Sequence, residues 1–122
     1  AEDHQTPDYK AKLLLKRGNL LYAAKEYEVS IAAYDQALQF KPDYHQAWYN
    51  RGMTLGNLGR LEEAIASYDQ ALKFKPDYPT AWYTRGISLR DLGRLEEAIA
   101  AYDQALKLKP DDHEAWYDRG IA

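Results

Sequence analysis

The 122-residue chain contains no cysteine and a single methionine. Without thiols it has no disulfide framework, no thiolate metal ligand and no cysteine nucleophile. No apolar run approaches the roughly eighteen residues of a membrane span, and residues 1–10 lack the basic and apolar regions of a secretion signal. Charge of one sign is not in excess either: 16 basic and 19 acidic residues give a net charge of -3 and a pI near 5.6. Nothing in that balance attracts phosphate backbones or anionic lipid, so neither nucleic acid nor a membrane is expected as partner. The three histidines, His4, His45 and His113, have no His-x-x-x-His spacing and no serine and acid arranged with them as a triad. No active site, metal or cofactor is therefore expected. The chain is expected to be soluble and cytoplasmic, and its start at Ala1 without methionine and stop at Ala122 read as a piece excised from a larger, bacterial protein.

What is present is a 46% apolar share, enough for a core, and a period. Trp48, Trp82 and Trp116 lie 34 residues apart, as do Pro42, Pro76 and Pro110, and Tyr34, Tyr68 and Tyr102. Gly18, Gly52, Gly86 and Gly120 share the spacing, and so do Arg17, Arg51, Arg85 and Arg119. Residues 45–78 and 79–112 are identical at 24 of 34 positions. Residues 11–44 form a more diverged copy, with Leu14 for tryptophan, Lys25 for glycine and Ser30 for alanine. Residues 1–10 are an extension or the start of the first helix, and residues 113–122 open a fourth copy that stops early.

Each copy predicts two amphipathic helices. Trp48, Gly52, Leu55 and Leu58 recur at helical spacing, and after Gly59-Arg60 so do Leu61, Ala64, Ile65, Tyr68, Ala71 and Leu72. Glycine suits the left-handed residue that ends a helix, and Lys-Pro-Asp stops the second helix while bringing an aspartate to the next amino terminus. Pro79 fits a first turn, Thr6-Pro7 a longer first helix, and Asp111 with Glu114 a capping box. The Glu62-Glu63 and Glu96-Glu97 pairs open helices, where carboxylates favour the positive end of the dipole.

The 34-residue period with Trp48, Gly52, Leu55, Ala64, Tyr68, Ala71 and Pro76 resembles the tetratricopeptide repeat pattern over residues 11–122. The resemblance implies an all-α fold: a right-handed α-solenoid of antiparallel helix-turn-helix repeats whose concave face is lined by first helices. Gly52 and Gly86 are expected to let that helix approach Ala64 and Ala98. Arg51 and Arg85, where the family more often has leucine, are expected to meet an aspartate such as Asp69 or Asp103.

By family position the groove carries Lys12, Lys16, Asn19 and Tyr22, then Tyr49, Asn50, Met53 and Asn57. Tyr83, Thr84, Ile87 and Arg90 follow, and Tyr117 and Asp118 close it. Of the ten differences between the second and third copies, five (46/80, 50/84, 53/87, 56/90, 57/91) fall on this face. Tyr49, Tyr83 and Tyr117 suggest an aromatic ladder, and Lys12 and Lys16 against Glu114 and Asp118 a charge gradient. Relatives that clamp chaperone carboxylates use Lys and Asn, then Asn, then Lys and Arg. Asn19 and Asn50 match that set, but Leu15, Thr80 and Thr84 do not, which speaks against the clamp. The expected function is a non-catalytic scaffold that holds a peptide or protein segment in the groove. The alternative is a structural spacer or self-association module, with weak end-to-end contacts through the last helix.

Overall fold

The computed structural model describes residues 5–122, so His4 lies outside the described residues. Seven helices follow in order: α1 (Pro7–Ala23), α2 (Tyr27–Phe40), α3 (His45–Asn57), α4 (Leu61–Phe74), α5 (Pro79–Asp91), α6 (Leu95–Leu108) and α7 (His113–Ile121). They pack as successive antiparallel pairs, α1 with α2, α3 with α4 and α5 with α6, and α7 rests chiefly on α6. First helices of neighbouring pairs touch one another, α1 to α3 and α3 to α5, which turns α1, α3 and α5 toward one shared face. The result is an all-α helical repeat solenoid.

The helix boundaries follow from local chemistry. Thr6 caps α1 by accepting from the Tyr9 amide at 3.1 Å, and Pro7 occupies the first turn, so the first helix starts inside the expected extension. Gly59 (φ 75) and Gly93 (φ 81) take the left-handed conformation after α3 and α5. Lys25 adopts it in the diverged copy at φ 63, where a Cβ makes it strained. Two capping expectations are corrected. Tyr44 and Tyr78 precede α3 and α5 without a side-chain cap, and Asp112 rather than Asp111 caps α7, accepting from the Ala115 amide. Glu63 and Glu97 sit in first turns as expected, and each also forms a two-bond pair with the preceding Arg60 or Arg94.

The periodic residues have distinct structural duties. Trp48, Trp82 and Trp116 donate their indole N–H to the carbonyls of Pro42, Pro76 and Pro110 at 2.8, 3.0 and 2.8 Å, pinning each turn to the helix that follows. Added Cβ atoms at Gly18, Gly52 and Gly86 would lie 2.5, 2.6 and 2.5 Å from the rings of Tyr34, Tyr68 and Tyr102. The glycines therefore admit a tyrosine ring, not the close approach to Ala64 and Ala98 that the pattern suggested. The arginine expectation holds for Arg85, which meets Asp69, and is corrected for Arg51. Arg51 donates to Asp35 at 2.7 Å and Arg85 to Asp69 at 2.6 Å, while Asp103 is taken by Arg119. Each contact bridges to the preceding helix pair. Arg51 additionally donates to the buried Ser67 hydroxyl at 2.6 Å.

Candidate peptide-binding groove

Two kinds of polar chemistry divide the face made by the first helices. In its N-terminal half, Asn19 Oδ1 accepts from the Tyr34 hydroxyl at 2.7 Å and from Asn50 Nδ2 at 2.9 Å. Asn57 Nδ2 donates to the Tyr22 hydroxyl at 2.8 Å and to the Met53 carbonyl at 3.1 Å. These amides tie α1 to α3 across 31 and 35 residues of sequence. They border an open cavity of about 280 Å³ lined by Asn19, Tyr22, Tyr34, Asn50 and Met53. Lys12 and Lys16 stand exposed on α1, whereas Leu15 is half-buried against the Ala11 core.

The C-terminal half is ionic. Tyr83 donates its hydroxyl to Asp118, and Arg90 approaches the same carboxylate at 3.7 Å while also reaching Asp91 at 3.4 Å. Burial first, then the Asp118 carboxylate, pushes the Tyr83 phenol well above its ordinary value. Thr84 turns its hydroxyl back to the Thr80 carbonyl at 2.9 Å. Ile87 is half-buried against the Leu89 and Tyr102 core.

The aromatic ladder takes a different form from the one expected. Tyr49 packs on Tyr68 and Tyr78, with ring centroids 5.7 and 5.1 Å away, and Tyr83 packs on Tyr102 at 5.8 Å. Both rings are partly absorbed by the second helices and the connecting turn, and burial raises the Tyr49 phenol and pushes Tyr78 up to about 12. Tyr117, at 69% exposure, is the open member of the three. Gly56, expected on this face only as one of its varying positions, lies in the floor beside Met53 and Asn57, lining a second cavity with Ile87 and Asp91. The signal for it was present in the contrast between Tyr22, Gly56 and Arg90 at one repeat position. Among the described residues no group of three or more His, Asp or Glu side chains is placed to hold a metal ion, and no helix is long and apolar enough to cross a membrane.

Family models described as tetratricopeptide repeat match residues 15–79 and 67–100, and one described as TPR repeat matches residues 86–122. The chain belongs to the tetratricopeptide repeat family. Among similar solved structures is the second tetratricopeptide domain of human RPAP3 in complex with the HSP70 peptide SGPTIEEVD. It is 26% identical with a TM-score of 0.90, covering 94% of this chain and 96% of that one. The first such domain of Spaghetti (RPAP3), bound to the HSP90 peptide SRMEEVD, is 24% identical with a TM-score of 0.91 and coverage of 98% and 94%. The Sgt2 domain from Aspergillus fumigatus is 24% identical with a TM-score of 0.86 and coverage of 99% and 82%. No curated protein matches the chain. Tetratricopeptide domains are interaction modules, and this chain is a protein-interaction scaffold of that type.

Proposed function

We propose that the face formed by α1, α3, α5 and α7 binds an extended or helical segment of another protein, without catalysis. The observation that carries this is the pair of adjoining cavities, each about 280 Å³, that share Tyr22 and Met53 on the groove floor. Concave, largely apolar sites with a few convergent polar groups are where segments dock. The solved relatives bound to SRMEEVD and SGPTIEEVD carry peptides that share the acidic ending EEVD. This chain keeps Asn19 and Asn50 but has Leu15, Thr80 and Thr84 at the basic positions of that clamp, and Asp91, Asp118 and Glu114 add negative charge. Its segment is of a different, less acidic kind.

The test is calorimetry on segments recovered by pull-down, with SRMEEVD as a comparison peptide. Tyr83→Ala is expected to weaken binding by about 1 to 3 kcal/mol as an aromatic anchor, and Asn50→Ala by about 1 kcal/mol. Exchange of Glu97, exposed on α6, is the control. Loss of binding in the control with none in Tyr83→Ala would move the partner to the other face, and tight binding of SRMEEVD would restore the clamp. A second reading, end-to-end self-association, is favoured by Trp116 and Ile121, exposed at 52% and 57% on α7, and by Leu20 at 73% on α1. Sedimentation showing a strict monomer at high concentration would remove it.

A further inference from the structure

Glycines in and beside the helices of this molecule have two evident uses, and Gly56 has neither. Gly18, Gly52 and Gly86 admit tyrosine rings, and Gly59 and Gly93 adopt left-handed turns. Gly120 is open because α7 has no second helix packed over it among the described residues. Gly56 lies within α3, which packs fully on α4, yet a Cβ built there meets no atom within 4 Å. Glycine is disfavoured in helices relative to alanine, and the equivalent positions, Tyr22 and Arg90, carry large side chains without difficulty. Packing therefore gives no reason for the gap. The gap opens into a solvent-open cavity of about 280 Å³ with apolar walls from Met53, Leu61 and Ile87 and polar lining from Asn57, Thr84 and Asp91. An apolar cavity of about 150 Å³ accepts benzene, so this notch has room for a whole side chain.

We propose that the notch over Gly56 is the anchor subsite of the groove, taking one leucine or methionine side chain of the partner segment, with a lysine or arginine beside it facing Asp91. Charge complementarity selects that neighbour. Asp91 is exposed and among the described residues pairs at 3.4 Å with Arg90, which is shared with Asp118. The inference rests on the groove being the binding face.

The probe is the blocked peptide acetyl-Gly-Ser-Leu-Lys-Ser-Gly-amide, titrated into the 15N-labelled chain and followed by NMR. Saturable shifts are expected at the amides of Gly56, Asn57 and Ile87. Replacing the peptide leucine by glycine should weaken binding at least about tenfold, as loss of a buried aliphatic side chain requires. Replacing its lysine by glutamate should weaken it roughly threefold. In the protein, Gly56→Leu fills the notch; it should keep or raise the unfolding midpoint while losing affinity about tenfold or more, with Gly56→Ala between. Retained affinity in folded Gly56→Leu overturns the notch. If shifts then map to Asn50 and Tyr83 and respond to Tyr83→Ala, the groove stands without it. If no groove amide moves with any of the peptides, the notch falls together with the groove as a site for such segments.

Discussion

The two halves of the groove are built on one scaffold and finished with different chemistry. Tyr34 and Tyr102 hold the same repeat position and lie equally close beneath Gly18 and Gly86. Tyr34 donates its hydroxyl to Asn19, whereas the Tyr102 hydroxyl is buried with no protein partner among the described residues. The cause is a single substitution in the pattern: the place of Asn19 is taken by Ile87 in the third pair. A neutral amide network closes one half, and an Asp118 centre joining Tyr83 and Arg90 closes the other. What repeats holds each helix pair and its turn together, and what varies sets how neighbouring first helices join across the proposed groove.

If that division is right, the scaffold must respond alike at both ends. Gly18→Leu and Gly86→Leu should each cost about 1 to 3 kcal/mol or more, since a Cβ 2.5 Å from a buried ring forces the ring or the helix to move. Thermal and denaturant unfolding of both variants measures it. Costs differing by more than about 1 kcal/mol would mean that the two glycine-tyrosine contacts are not equivalent and that one half is looser.

The scaffold was also the legible part. A 34-residue period with a 3.6-residue apolar stripe determines helix pairs, and the core positions Ala64, Ile65, Tyr68, Ala71 and Leu72 are all buried. Partners across the pairs were not legible, because they depend on where one helix sits on another. Tyr68 rather than Ala64 fills the space beside Gly52, and Asp35 rather than Asp69 meets Arg51. Both contacts run across 16 residues, a relation that no intrahelical periodicity encodes. In the groove, Asn19, Asn50, Met53 and Asn57 were legible as neighbours on one face, but not Asn19 as a single acceptor for two donors. Position 56 was legible as a varying groove position, but not as an opening, because a missing side chain leaves no residue type to argue from.

A smaller effect sharpens the comparison at the tyrosines themselves. Tyr34→Phe removes a hydrogen bond to Asn19 and should cost about 1 kcal/mol. Tyr102→Phe removes a hydroxyl that has no partner, and should leave stability within about 0.5 kcal/mol or raise it slightly. Chemical denaturation of the two variants decides it. Equal costs would mean that Tyr102 has a hydrogen-bond partner in solution, such as water, and that the C-terminal half is as fully satisfied as the N-terminal one.

The smallest expected effect concerns the junction of the halves, where His45 opens α3 and meets the Tyr78 ring edge-on at 5.7 Å. Burial first, then Lys75 and Lys41, lowers the His45 pKa below its ordinary value, against the opposing pull of Asp43. The folded chain thus prefers neutral imidazole, while the unfolded chain takes up a proton near pH 6.5. Stability is therefore full above about pH 7 and declines as pH falls through 6.5 toward the lower folded value. Glu63 and Glu97 have pKa values depressed by Arg60 and Arg94, so their contributions are present above the ordinary carboxylate range and fade only in more acidic solution. Between pH 7.5 and 5.5 the unfolding midpoint should show a slight fall that His45→Gln abolishes. A fall of the same size in His45→Gln would place the proton uptake elsewhere and leave the junction without a pH-sensitive contact.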